Sequence, residues 1–127
     1  MTLLIDTHVY LWVTTAPEKL SKTAEALLKS PDNEILVSVV LPWELAIKTN
    51  SGKLNASRIL GDFEQRVLGL GFRMQAILTS NAIRSGLLPF HHRDPFDRLL
   101  AAQSLDMSMP LISRDAVFDV YGVQRLW

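Results

Sequence analysis

The chain has 127 residues, the size of one ordinary domain and too short for two separate cores. Apolar residues make up 48% and charged residues 20%, without blocks or low-complexity tracts, which excludes a disordered or fibrous protein. Lys plus Arg and Asp plus Glu both total 13, so nucleic acid would have to be held by a local basic patch and not by bulk charge; the absence of cysteine excludes disulfides, thiolate nucleophiles and cysteine-based zinc sites.

Leu3-Leu4-Ile5 is a wholly apolar run ended by Asp6-Thr7, the pattern of a strand buried on both faces that hands over to a helix. Because Asp6 and His8 interrupt the apolar opening and no basic lead precedes it, this segment reads as a first strand and not as a signal peptide. Ser21 opens a helical segment with Ala24, Leu27 and Leu28 at helical spacing, stopped by Ser30-Pro31-Asp32-Asn33. Ile35 to Ser38 reads as a second strand. Pro42 suits the first turn of the next helix, which puts Glu44 in a helical first turn and ends at Asn50-Ser51-Gly52.

Ile59, Phe63 and Val67 space out one helix over Ile59 to Leu68; Phe72 to Ile77 reads as a short strand, and a further helix starts from Thr79. Asp94-Pro95-Phe96-Asp97 is a helix start, with Asp94 as N-cap, Pro95 at the first helical position and an apolar stripe through Leu99, Leu100 and Leu105. Pro110 to Ser113 forms another buried strand. Asp115 caps a short helical turn, Gly122 breaks it, and Val123 to Trp127 closes the fold as a strand. No stretch approaches the roughly 20 apolar residues of a membrane span, so a soluble cytoplasmic protein is expected.

Strands alternating with helices imply crossover connections, hence a single α/β domain with a central, mostly parallel sheet flanked by helices. Ligands of such sheets bind beyond the carboxyl ends of the strands. Asp6 and Asp115 follow strands, and Glu44 and Asp97 are placed in helical first turns, so all four are expected at that edge. Singly, each acid has a plain explanation: Asp97 reads as a capping-box acid and Asp115 as an N-cap, favoured by the helix dipole by about 0.3 to 1 kcal/mol each. Jointly they repel, and burial together requires protons or a cation. An all-oxygen set suits a hard ion such as magnesium or manganese, which activates water against phosphodiesters.

The pieces Leu4-Ile5-Asp6-Thr7-His8, Leu11-Trp12, Leu20-Ser21, Val37-Ser38, Trp43-Glu44-Leu45-Ala46-Ile47-Lys48, Gly52-Lys53-Leu54, Leu87 with Pro89, His91 through Arg98, Ser113-Arg114-Asp115, Tyr121-Gly122-Val123 and Leu126-Trp127 occur in order along nearly the whole chain. Together they resemble the PIN-domain ribonucleases, specifically the VapC-type toxins of toxin-antitoxin pairs. The resemblance implies a PIN-like fold over residues 1 to 127 and hydrolysis of RNA with Mg2+, for which Mn2+ would substitute. It also implies Asp6, Glu44, Asp97 and Asp115 as the catalytic acids, with Asp6, Asp97 and Asp115 as metal ligands and Ser113 hydrogen-bonding the pocket carboxylates. Asp94 fits the motif as a helix cap and stays outside this set. An antitoxin whose peptide tail occupies the active-site groove, and a second copy of the chain, are the implied protein partners.

Lys48, Lys53, His91, His92, Arg93, Arg98 and Arg114 are the candidates for RNA phosphate contacts at the expected mouth, and would make binding salt-dependent. Trp12 and Trp43 lie in apolar helical stripes and read as core or interface anchors. Three other functions compete. A phosphoacceptor receiver domain needs an aspartate after its third strand and a lysine after its fifth, and neither is present. A Ser-His-Asp hydrolase needs a nucleophile elbow, which no serine here provides. A catalytically inactive PIN-like binding module is disfavoured by the presence of all four acids.

Overall fold

The computed structural model describes all residues from 1 to 127. Five parallel strands form one sheet in the order β3-β2-β1-β4-β5, where β1 is Thr2–Ile5, β2 Glu34–Ser38, β3 Arg73–Gln75, β4 Leu111–Ile112 and β5 Arg125–Leu126. The apolar run of β1 makes it the central strand: Leu3, Leu4 and Ile5 are 0% exposed, and Leu4 is in register with Leu36 on one side and Leu111 on the other. From β1 the chain winds first toward β3 and later returns to lay β4 and β5 on the opposite side. The order therefore reverses between β1 and β4, which opens a crevice at their carboxyl ends.

The helices cover both faces: α1 Thr7–Thr15, α2 Lys22–Lys29, α3 Val40–Asn50, α4 Ser57–Leu60, α5 Phe63–Gly69, α6 Thr79–Leu87 and α7 Pro95–Asp106, with short 3-10 turns at Pro17–Lys19 and Ala116–Tyr121. Their starts follow local chemistry. Ser21 Oγ accepts from the Ala24 amide at 3.0 Å to cap α2, and Asp94 Oδ1 accepts from the amides of Phe96 and Asp97 at 2.8 and 3.2 Å, with Pro95 just inside α7. None of these helices is long and apolar enough to cross a membrane.

Two expectations are corrected. The helix expected over Ile59 to Leu68 is two short helices, because Gly61 is extended and Asp62 takes the left-handed conformation at φ 56, which aspartate tolerates better than most residues. The helix bearing Glu44 starts at Val40, two residues ahead of Pro42, with its first amide bonded to Ser38 Oγ at 3.1 Å. Glu44 consequently sits in the second turn, where the helix dipole gives it little support.

A buried polar relay holds α7 against the sheet. Ser38 Oγ at the end of β2 bonds Gln103 Oε1 at 2.5 Å, and Gln103 Nε2 donates to the Ala76 carbonyl at 3.1 Å. Tyr10, 0% exposed and packed against Phe63 with the rings tilted and their centroids 5.0 Å apart, has a hydroxyl with no hydrogen-bond partner in the chain. Tyr10→Phe loses no bond and removes a desolvated hydroxyl, so thermal melts should show stability unchanged or raised by about 1 kcal/mol. A loss of that size would mean the hydroxyl is satisfied.

Candidate active site

Asp6 ends β1 and begins α1. Its Oδ1 accepts from the Val9 amide at 2.8 Å, the cap that turns the strand into a helix, and its Oδ2 accepts from Ser113 Oγ just beyond β4. The Ser113 hydroxyl also accepts from the Asp115 amide at 3.0 Å, so one serine joins both sides of the sheet reversal. Asp6 is 4% exposed. Burial pushes its pKa up against the Ser113 and Val9 hydrogen bonds; His8 pulls it down and the charge of Asp115 pushes it further up.

Asp115 is exposed and caps the Ala116–Tyr121 turn, its Oδ1 accepting from the Val117 amide at 3.0 Å. Asp6 and Asp115 line one cavity of about 320 Å³ with His8, Trp12, Arg114 and Ala116. This cavity is the crevice where the strand order reverses.

Glu44 and Asp97 form the other half of the quartet. Glu44 is 3% exposed; Thr7 Oγ1 donates to its Oε1 at 2.7 Å and Lys48 Nζ donates to its Oε2. Thr7 directly follows Asp6, so this bond carries α3 to the end of β1. Burial opposes the Lys48 ammonium, but the bond and charge of Glu44, with the charges of Asp94 and Asp97, outweigh it and hold its pKa above the usual lysine value.

Asp97 lies in the first turn of α7 without capping it; Asp94 does that. Asp97 Oδ2 instead meets His92 Nε2 at 2.8 Å. Burial, then the charges of Asp94 and Glu44, raise its pKa to about 6 despite the His92 contact. Ligand atoms of His92, Asp94 and Asp97 all fall within 4.8 Å of one another. The quartet is thus arranged as two pairs, Asp6 with Asp115 and Glu44 with Asp97, joined through the adjacent residues Asp6 and Thr7.

The basic residues divide as well. Lys48, Lys53 and Arg93 line a second cavity of about 380 Å³ with Asp94, beside Glu44 and Asp97. Arg114 lines the Asp6 cavity, and exposed His91 lies against the Tyr121 ring at 5.6 Å. Arg98 does not join this basic edge. It is 5% exposed, and its guanidinium donates to the carbonyls of Ser85, Leu88 and Pro89 at 2.9 Å, to the His92 carbonyl at 3.3 Å and to Tyr121 Oη at 3.3 Å, with Phe90 stacked over it. Its position on the inward face of α7 turns it into a buckle for the loop from Ser85 to His92. Trp43 is also not core: it is 47% exposed and meets Phe96 edge-on at 4.9 Å, while Trp12 packs between His8 and Trp127.

Thr7 and the His92–Asp97 contact are parts of the site that residue reading passed over. Thr7 stood next to a chosen acid as an ordinary helix-start residue, and its partner 37 residues away is visible only in the fold.

The chain is similar to Ribonuclease VapC22 of Mycobacterium tuberculosis (strain H37Rv), with 29% identity over 116 residues that cover 90% of this chain and 87% of that one. Among solved structures it is similar to a chain of the VapBC2 complex from Rickettsia felis bound to a promoter DNA fragment, with a TM-score of 0.71, 14% identity and coverage of 99% and 98%. A toxin-antitoxin complex from Klebsiella pneumoniae aligns with a TM-score of 0.62, 18% identity and coverage of 98% and 96%. At these identities the structural likeness shows the fold. The family model of the PIN domain matches residues 3–123, four of the five strands and every acid of the quartet, and the chain belongs to the PIN domain family.

Proposed function

We propose that the chain is a magnesium-dependent endoribonuclease, with manganese able to substitute, and the toxin half of a toxin-antitoxin pair, residues 1 to 127 forming one PIN domain. The observation that carries this reading is the state of Asp6 and Asp97: one carboxyl fully buried and one partly buried, both raised in pKa and neither paired with a lysine or arginine. Groups in that state need a proton or a cation. The oxygen donors fit a hard divalent ion. Asp6, Asp97 and Asp115 would hold it, and bound there it lowers the pKa of water and offsets charge on the phosphodiester.

The chain's own groups prepare that site. Ser113 and the Val9 amide fix the orientation of Asp6; Asp94 starts α7 and so sets Asp97 in its first turn, and His92 orients the Asp97 carboxylate. Glu44 is held by Thr7 and Lys48. Lys48, Lys53, Arg93 and Arg114, together with His91 and His92, supply positive or protonatable groups around the mouth for RNA phosphates. The name ribonuclease borne by the Mycobacterium relative supports RNA as substrate, and the toxin-antitoxin complexes among the solved structures support a protein antitoxin as partner. A second copy of the chain is the further partner proposed.

Purified protein should cleave RNA with Mg2+ or Mn2+ and stop when a chelator is in excess. Cleavage that survives the chelator overturns the metal mechanism; metal-loaded, folded protein that cuts no RNA points to a PIN-like binding module.

A further inference from the structure

We infer that the Lys48 ammonium takes the place of a second divalent ion, so that the carboxylate site binds one metal ion per chain and Glu44 is not among its ligands. This rests on the metal-dependent reading above. Both carboxylate oxygens of Glu44 already have protein partners, the Thr7 hydroxyl on Oε1 at 2.7 Å and the Lys48 ammonium on Oε2. Glu44 is 3% exposed, and the charge that its burial would leave uncompensated is already met by the ammonium. The other acids differ in having no resident cation, although Asp6 is as buried as Glu44 and also has both oxygens hydrogen-bonded. Asp6 is met by an amide and a hydroxyl, Asp115 by an amide, and Asp97 by an imidazole on one oxygen; no lysine or arginine is paired with any of them.

Glutamate and lysine four apart are common on solvated helix faces, where they contribute little. Lys48 and Glu44 are not such a pair. Their glutamate faces the interior, the lysine side chain is only 28% exposed, and the second glutamate oxygen is tied to another helix through Thr7. Asp94 and Asp97 also lie near enough for their charges to act on Lys48, which puts this cation on the Glu44 side of the acidic cluster. Two-metal nucleases carry a pair of ions about 3.5 to 4 Å apart, sharing carboxylates between the attacking and leaving oxygens. With an ammonium resident on the Glu44 half, one half of the carboxylate set is already neutralised by a compact point charge that can also meet phosphate. The carboxylates of Asp6, Asp97 and Asp115, none of them paired with an ammonium or guanidinium, remain for one ion.

The test is stoichiometric and does not depend on cleavage. Metal-free full-length chain is titrated with MnCl2, free Mn2+ being followed by its electron paramagnetic resonance signal and binding by calorimetry. Wild type should take about one Mn2+ per chain, and Lys48→Met, which keeps the apolar stem and removes the charge, should take about two. Should Lys48→Met fail to fold by circular dichroism, Lys48→Gln keeps a donor for Glu44 and serves in its place. About two Mn2+ per wild-type chain overturn the inference, as does a folded variant of either kind that still takes one. Wild type that binds no Mn2+ overturns the metal reading itself and this inference with it, so the two failures are distinguishable.

Discussion

Asp97→Asn is expected to lower RNA cleavage by at least about 100-fold while stabilising the metal-free protein at neutral pH. The stability effect follows from the direction of the pKa shift. The Asp97 carboxyl, raised to about 6 by burial, by the charges of Asp94 and Glu44 and against the His92 contact, holds its proton more tightly in the folded chain than in the unfolded one, where its usual value is 3.8. Between about pH 4 and pH 6 the folded state therefore binds more protons, and stability falls as pH rises through that window. A shift of that size corresponds to about 3 kcal/mol by the end of it. Asparagine keeps the shape and an acceptor for His92 but never ionises. Denaturant melts without metal should thus show Asp97→Asn more stable than wild type near pH 7.5 and equal to it near pH 4. Added Mg2+ should stabilise wild type and leave the variant unmoved. Asp6→Asn should act in the same direction, since burial also pushes Asp6 upward while asparagine preserves the cap on Val9. An Asp97→Asn chain less stable than wild type at both pH values would show that the carboxylate serves the fold.

Arg98→Met should cost about 3 kcal/mol or more of stability and lower activity with it. Four carbonyls and the Tyr121 hydroxyl lose their shared donor, and the loop that carries His92 to Asp97 loses its anchor. Arg98→Lys keeps the charge but places one ammonium where a planar fork had several donors, so it should also be destabilising. The measurement that decides is chemical denaturation beside the salt dependence of RNA binding. A variant of full stability with weaker, less salt-sensitive binding would return Arg98 to the phosphate-contacting set.

Most of the element order was legible in the residues. The run Leu3 to Ile5, the Ser21 and Asp94 caps, Pro95 and Gly122 act over a few positions, and each element begins or ends as that chemistry requires. The start of α3 was not, because Pro42 marks a helix's first turn without saying which residue of the turn it occupies. The break at Gly61 and Asp62 was hidden by apolar spacing that runs straight across it. Arg98 looked like a surface cation beside His91 and His92, because nothing in its neighbours shows that α7 turns it inward onto carbonyls up to 13 residues away.

Where three of the acids lie along the elements followed from residue type and position. Each of Asp6, Asp97 and Asp115 sits at a strand end or helix start that neighbouring residues specify, and closely placed carboxylates without cysteine suit a hard cation. How they meet is a long-range matter. Strand order is set by packing of β1 between β2 and β4, and that order opens the crevice at Asp6 and Asp115, lets Ser113 reach Asp6, and carries Glu44 to Thr7. Pairings separated by 37 and 107 residues leave no trace in local patterning, since loop closure and core packing select them only once the whole sheet has formed.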